Sequence, residues 1–415
     1  MRKLNVFTVI YLVLYMLSGC TFSPVNLGDA YILGQDDQYY FNKDAQNLSI
    51  AETRDGYYFF PGPDSTFLYY VDKVTMSPVI LCDKPECLHT DETDPAKVMN
   101  CNAYSHYTSS LVYYDGYLYV VGNNPVSVND EYLIYRISLD GTQKKELYSF
   151  KEKPENWIIH RGFIYFSTND NGTIQGQEAE TKSTCKLYRL DINQINKDPI
   201  LLNEKSGVYE RTLKLFGYGN GIYWHTMGFN DASMTNVSRV AIKCNILDGK
   251  TVIFGDDITY LSACNGKLVF RSGNGIMYVS NQDGSDKKEI GKIGDNGIIY
   301  CDGYRYIYCD TLPLTINKQS DNQKDIKVRS LLVYDMEGKL VNTINIDSLG
   351  KDLCYGGNKD YFFIPDNRSA SNEFGDINKL YILNMNRITS IDTAISKVFE
   401  FIPKSVFPGV SYKSN

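Results

Sequence analysis

The stretch DGYLYVV, Asp115–Val121, sets a turn pair ahead of a run in which aromatic and aliphatic side chains alternate. Asp-Gly is the dipeptide that a two-residue hairpin loop favours, because both positions need positive φ. The preceding SSLVYY (Ser109–Tyr114) is the other arm, so Ser109–Val121 reads as one β-hairpin.

The pattern recurs. DGYYFF (Asp55–Phe60), RGFIYFS (Arg161–Ser167), NGIYWHT (Asn220–Thr226), NGKLVFRS (Asn265–Ser272), DGYRYIYC (Asp302–Cys309) and the degenerate KDYFFIP (Lys359–Pro365) bring the copies to seven. Most are followed by a second hairpin, as in LIYRISLDGTQKKELYSF (Leu133–Phe150) and LLVYDMEGKLVNTINI (Leu331–Ile346). Each unit is therefore four strands: run, turn, run, loop, run, turn, run. No segment sustains a 3.6-residue period. Length alone suggests two or three domains, but a closed repeat array runs longer as one unit. Seven four-stranded antiparallel units predict an all-β fold, a seven-bladed β-propeller. Spacings of 37 to 60 residues between copies leave six or eight blades open. Residues 47–415 form the propeller in this reading, and AYILGQDDQYYFN (Ala30–Asn42) is a candidate latch strand. The 34 tyrosines suit sheet faces that pack on neighbouring blades while the hydroxyl reaches water or backbone.

Gly221-Ile222-Tyr223-Trp224, and Leu187-Tyr188-Arg189-Leu190-Asp191 in a second hairpin, resemble the YWTD-type propeller of low-density-lipoprotein-receptor-related proteins. Over its whole mature length the chain resembles the uncharacterised bacterial lipoproteins that carry such a propeller. The resemblance implies architecture. Only Ile222–Thr226 approaches the YWTD signature itself, so receptor-type ligand binding does not carry over.

Residues 1–19 combine a basic start (MRK), an apolar run and the exit Leu17-Ser18-Gly19 before Cys20. This is a secretory signal, and Leu17–Cys20 resembles the bacterial lipobox, which implies diacylglycerol on the Cys20 thiol. Residues 20–46 then form a lipidated linker. The expected address is the outer face of the cytoplasmic membrane, or an outer membrane, held by lipid. Loss of Arg2 and Lys3 with the signal moves the formal charge of −7 to about −9. An acidic body with no basic stripe excludes nucleic acid as a partner.

Strand order sorts the connections. Turns from first to second and from third to fourth strand share one face; second-to-third loops and the crossings between units share the other. The longer irregular segments fall in the latter class, where a rigid scaffold places binding residues. Among them is LCDKPECLHT (Leu81–Thr90), on the crossing from the first unit to the second. Cys82, Cys87, His89 and Cys101 give C-x4-C-x-H-x11-C. Three thiolates and an imidazole are a tetrahedral zinc set, with Lys84-Pro85 turning the close pair inward. A disulfide, Cys82–Cys87 or Cys87–Cys101, is the competing reading in an oxidising compartment. Cys185, Cys244, Cys264, Cys301, Cys309 and Cys354 lie in or beside apolar runs and read as small buried hydrophobes.

Other chemistry is sparse. G-x-S-x-G, H-E-x-x-H and a phosphate loop do not occur. His106 could substitute at the cysteine cluster. Trp224 and His225, at the end of a second strand, are candidates for the binding face. Asp256-Asp257 reads as a turn, and Asn169–Gly172 only faintly as a calcium loop. Two functions follow: a non-catalytic surface module for a protein, peptide or glycan, or a propeller hydrolase or lyase acting on an extracellular polymer. Convergent acids with perturbed pKa would mark the enzyme, and an aromatic or apolar patch the module.

Overall fold

The computed structural model describes residues 49–60, 66–89, 94–105, 111–123, 131–171, 182–230, 233, 235–264, 266–292, 298–301, 306–310, 330–346, 356–357, 361–366, 379–384 and 395–400. Cys20, the candidate latch, His106 and Cys354 lie outside the described residues.

The chain is all-β with a propeller arrangement. Strands Ser49–Glu52, Gly56–Phe60, Tyr69–Asp72 and Pro78–Ile80 form the first antiparallel meander. Leu111–Tyr114, Tyr117–Asn123, Tyr132–Ser138 and Lys144–Phe150 form the second. A seven-stranded sheet follows, from Pro154–His160 to Thr251–Asp256. Its central strand, Ile200–Tyr218, ends one meander and begins the next, so this sheet is the third and fourth in series. Sheets beginning at Ile258, Ile298 and Gly356 complete the described series as fifth, sixth and seventh. The ring closes on itself: Phe363 of the last meander packs edge-on against Tyr57 of the first, centroids 5.0 Å apart.

The turns explain the repeat. Tyr114 pairs with Tyr117 across Asp115 (φ 46) and Gly116 (φ 80), and His160 pairs with Phe163 across Arg161 (φ 46) and Gly162 (φ 84). Both positions of each loop are left-handed, the requirement of a type I′ turn. The fourth copy departs from the predicted register. There Tyr218 pairs with Gly221, so the loop is Gly219-Asn220, with Gly219 at φ 56, and Gly221 already belongs to the strand.

Alternation along a strand sends side chains to two different neighbours. In Tyr117–Asn123, Leu118 and Val120 join the core shared with the first meander, while Tyr119 and Val121 join the core shared with the third. Both faces are buried, which is why the run alternates aromatic with aliphatic rather than apolar with polar. Burying each aliphatic stabilises by about 1.5–3 kcal/mol. Cys185 and Cys244 sit between the third and fourth meanders, and Cys264, Cys301 and Cys309 between the fifth and sixth, all buried as expected.

Candidate metal centre

The crossing from the first to the second meander starts just past the outer strand, where Leu81 N donates to Leu68 O (2.8 Å) and holds the chain against the start of the third strand, Tyr69–Asp72. Cys82 follows at once, its N donating to Ile80 O (3.0 Å), and the turn at Pro85 closes with Cys87 N to Lys84 O (3.1 Å). His89 has φ 46, a conformation that turns its ring back toward Phe67, with centroids 6.2 Å apart. The helix Pro95–Met99 then delivers Cys101. Asp94 caps the helix through Ala96 N (3.0 Å), and Cys101 N donates to Val98 O (3.0 Å). Cys101 is 2% exposed and faces the core, whereas Cys82, Cys87 and His89 are half-buried.

One ligand atom from each of Cys82, Cys87, His89 and Cys101 lies within 4.8 Å of all the others. Cys82 Sγ and Cys87 Sγ stand 3.7 Å apart. A tetrahedron with metal–sulfur bonds of about 2.3 Å has an edge of about 3.8 Å, whereas a disulfide needs about 2.05 Å. The spacing is too long for a disulfide bond and is compatible with two ligands sharing one ion. The cluster can hold a metal.

Local electrostatics fit a cation. Burial works to raise the Cys82 thiol, but backbone N–H groups of Lys84 and Asn102, with the Cys87 and Cys101 thiols, bring it below the ordinary range. Burial, and the charge of Cys82 beside it, push Cys101 up to about 12, and Cys87 is raised for the same reasons. Without a cation the three sulfurs therefore resist sharing three negative charges. Two lysines reduce the excess. Lys84 Nζ donates to Asn100 O (2.6 Å) beside Cys87. Lys144, from the second meander, donates to Tyr104 O (2.6 Å) and lies over the Tyr135 ring, 4.6 Å from its centroid. Burial pushes Lys144 down to about 8, against the pull of the neighbouring Cys101 and Cys82. A divalent ion with three thiolates carries one net negative charge, which such neighbours offset.

The crossing does not stay with the long loops. Tyr104–Ser105 pairs with Thr66–Phe67, which belongs to a second-to-third loop. Yet Asn102 Nδ2 donates to Gly141 O and Thr142 O (both 2.9 Å), and these belong to a third-to-fourth turn of the second meander. Gly141, at φ 73, has no room for a Cβ: one would stand 2.8 Å from the Leu81 carbonyl. The cluster thus spans both classes of connection and ties the first meander to the second. Beside it, Tyr58, Tyr70 and Tyr113 line a groove of about 510 Å³ bordered by Asp55, Cys82, Asp83 and Asp140. A smaller cavity of about 190 Å³ touches Cys87, His89 and Cys101.

The other candidates face inward. Trp224 is fully buried and donates from Nε1 to Thr212 Oγ1 (3.0 Å). His225 is 3% exposed, with Nε2 2.7 Å from Ile258 O. Neither presents a binding face, because their strand is covered on both sides. Burial, together with Lys214, Arg239 and Lys205, pushes His225 down to about 4, with the Ile258 carbonyl opposing. Asn169–Asn171 belongs to strand Phe163–Asn171, where Asn169 donates to Glu155 Oε1 (3.2 Å), so it forms no calcium loop. Asp257 (φ 49) turns the chain as expected. Lys144 and the Asn102–Gly141 contact escape sequence reading, since they lie about 40 residues from the cluster on another meander.

No protein-family model matches the chain, and no curated protein matches it. Among solved structures it is similar to KlAtg21, solved with the coiled coil of AgAtg16, at 11% identity and TM-score 0.48 over 86% of this chain and 99% of that one. It is also similar to TolB from Acinetobacter baumannii, at 12% identity and TM-score 0.37 over 82% and 76%. A puromycin-hydrolyzing peptidase of Mycobacterium tuberculosis gives 11% identity and TM-score 0.43 over 80% and 52%. At these identities the likeness is one of chain path and extends to neither partner nor reaction.

Proposed function

We propose that the chain is a lipid-anchored, extracytoplasmic β-propeller that acts as a non-catalytic interaction module, stapled between its first and second meanders by a structural zinc ion. The observation that carries the staple is the convergence of Cys82, Cys87, His89 and Cys101 within 4.8 Å. Three thiolates and one imidazole favour zinc over harder cations, and four protein donors close the coordination sphere. Bound there, the ion supplies folding free energy to a crossing with few apolar residues of its own. The groove with Tyr58, Tyr70 and Tyr113 on its walls supports the module reading, because it offers a ligand an aromatic concavity on the surface.

Elemental analysis with thiol titration on chain purified without a metal chelator tests the staple. One zinc per chain, with Cys82, Cys87 and Cys101 protected from alkylation, is the expected result. A metal-free chain with those thiols fully reactive overturns it. Labelling cells with a radioactive fatty acid tests the anchor. Incorporation should vanish in Cys20→Ser.

A further inference from the structure

The cysteines on either side of Pro85 carry a second role, which rests on the metal reading above. We infer that Cys82 and Cys87 form a site of reversible oxidation, at which a two-electron oxidant such as hydrogen peroxide converts the pair to a disulfide and expels the metal ion.

The three sulfurs are unequal. Cys101 is 2% exposed and packed with Val98 and Ala103 in the core shared by the first two meanders. Cys87 is half-buried and borders the cavity of about 190 Å³, at whose rim Glu86 and Leu88 are exposed. Cys82 borders the larger groove. A molecule of peroxide size therefore reaches Cys87 without opening the core. The pair is also poised to close. Its sulfurs stand 3.7 Å apart across a turn, so closure to a bond of about 2.05 Å takes side-chain rotation rather than movement of a strand. Cys101 sits on the far end of the helix-bearing segment and is held by its own hydrogen bond to Val98 O.

The chemistry balances. The Cys87 thiolate attacks a peroxide oxygen, forming a sulfenic acid and releasing hydroxide. Cys82 thiolate then attacks Cys87 Sγ and expels a second hydroxide as the S–S bond forms. Two electrons leave the sulfurs, the peroxide is reduced, and two protons from solvent convert the hydroxides to water. With two of four donors gone, Cys101 and His89 alone do not retain the ion. A dithiol reductant with fresh metal reverses the sequence.

The test uses the full chain, reduced and loaded with zinc, treated with hydrogen peroxide. Released zinc is read with a chromogenic chelator, and disulfides by peptide mass mapping. The expected result is one zinc released per Cys82–Cys87 disulfide, reversed by dithiothreitol and zinc. Cys101→Ser should still form that disulfide, whereas Cys82→Ser should stop at oxidised Cys87. Zinc retained while the thiols resist oxidation overturns the inference, as does a disulfide that includes Cys101. If the reduced chain binds no zinc yet forms the Cys82–Cys87 bond, the metal reading fails alone and the pair remains as a plain dithiol. The decisive measurements are on the unaltered chain, so a variant that fails to fold does not remove them.

Discussion

Gly116 and Gly141 are both turn glycines, at φ +80° and +73°, yet their replacement should cost different things. A Cβ on Gly116 meets open space, so Gly116→Ala carries only the left-handed penalty of about 1–2 kcal/mol. A Cβ on Gly141 presses on the Leu81 carbonyl and the Cys82 amide. Gly141→Ala should therefore also weaken zinc binding, by about ten- to a hundredfold, as loss of support behind a ligand does. Competition with a calibrated chelator reads the difference; equal affinities in the two variants would refute it. His225 gives a second residue-scale expectation. Its ring stays neutral when folded down to about pH 4, while the unfolded chain protonates it below about 6.5. The stability gained from holding it neutral is complete above the upper value and drains away as pH falls to the lower. The loss totals about 3 kcal/mol. Denaturant midpoints measured from pH 7 to pH 4 should show that slope, and His225→Gln should flatten it.

Among elements, the strand Ile200–Tyr218 is the least expected. A hairpin ending near Asn203 is legible in the sequence, and so is the run before Asn220. What is not legible is that the two are one strand. The joint is a bulge at Tyr209, where φ is 50 and the register shifts between Val208 and Arg211. Bulges have no composition of their own, and the intervening residues Glu204–Thr212 are polar enough to pass for a loop. Sharing a strand should make the third and fourth meanders one cooperative unit. Leu215, 2% exposed in the second half of this strand, sits in the core between them. Leu215→Ala should cost about 2–5 kcal/mol. Hydrogen exchange should quicken in both meanders together while the fifth and sixth keep their protection. The repeat itself was legible because its turn pairs and alternation are local. The site was legible only as a set of ligand types; its geometry depends on a loop, a helix and a turn from two meanders.

At the scale of the molecule, stability rests on a ring in which meanders lend each other their cores. The seam between last and first is made by Tyr57 with Phe363 and Tyr361. Phe363 is 1% exposed, and Phe363→Ala should cost about 3–5 kcal/mol. Its effect should appear at the seam first, as faster exchange in residues 49–60 and 361–366, a distribution that a loss confined to one sheet would not produce. The Cys82–Cys101 cluster lies at the next junction along, so the first meander meets its neighbours through aromatic rings on one side and through a set of four potential metal ligands on the other.

That seam also sets a schedule. Tyr57 is made early and its partner more than 300 residues later. Until the final strands have emerged, the first meander keeps one apolar side bare, while the Cys82–Cys101 crossing and the second meander already cover the other. A nascent chain is therefore secured at its front end long before it is sealed, and any truncation upstream of Phe363 leaves an open circle for quality-control proteases to recognise.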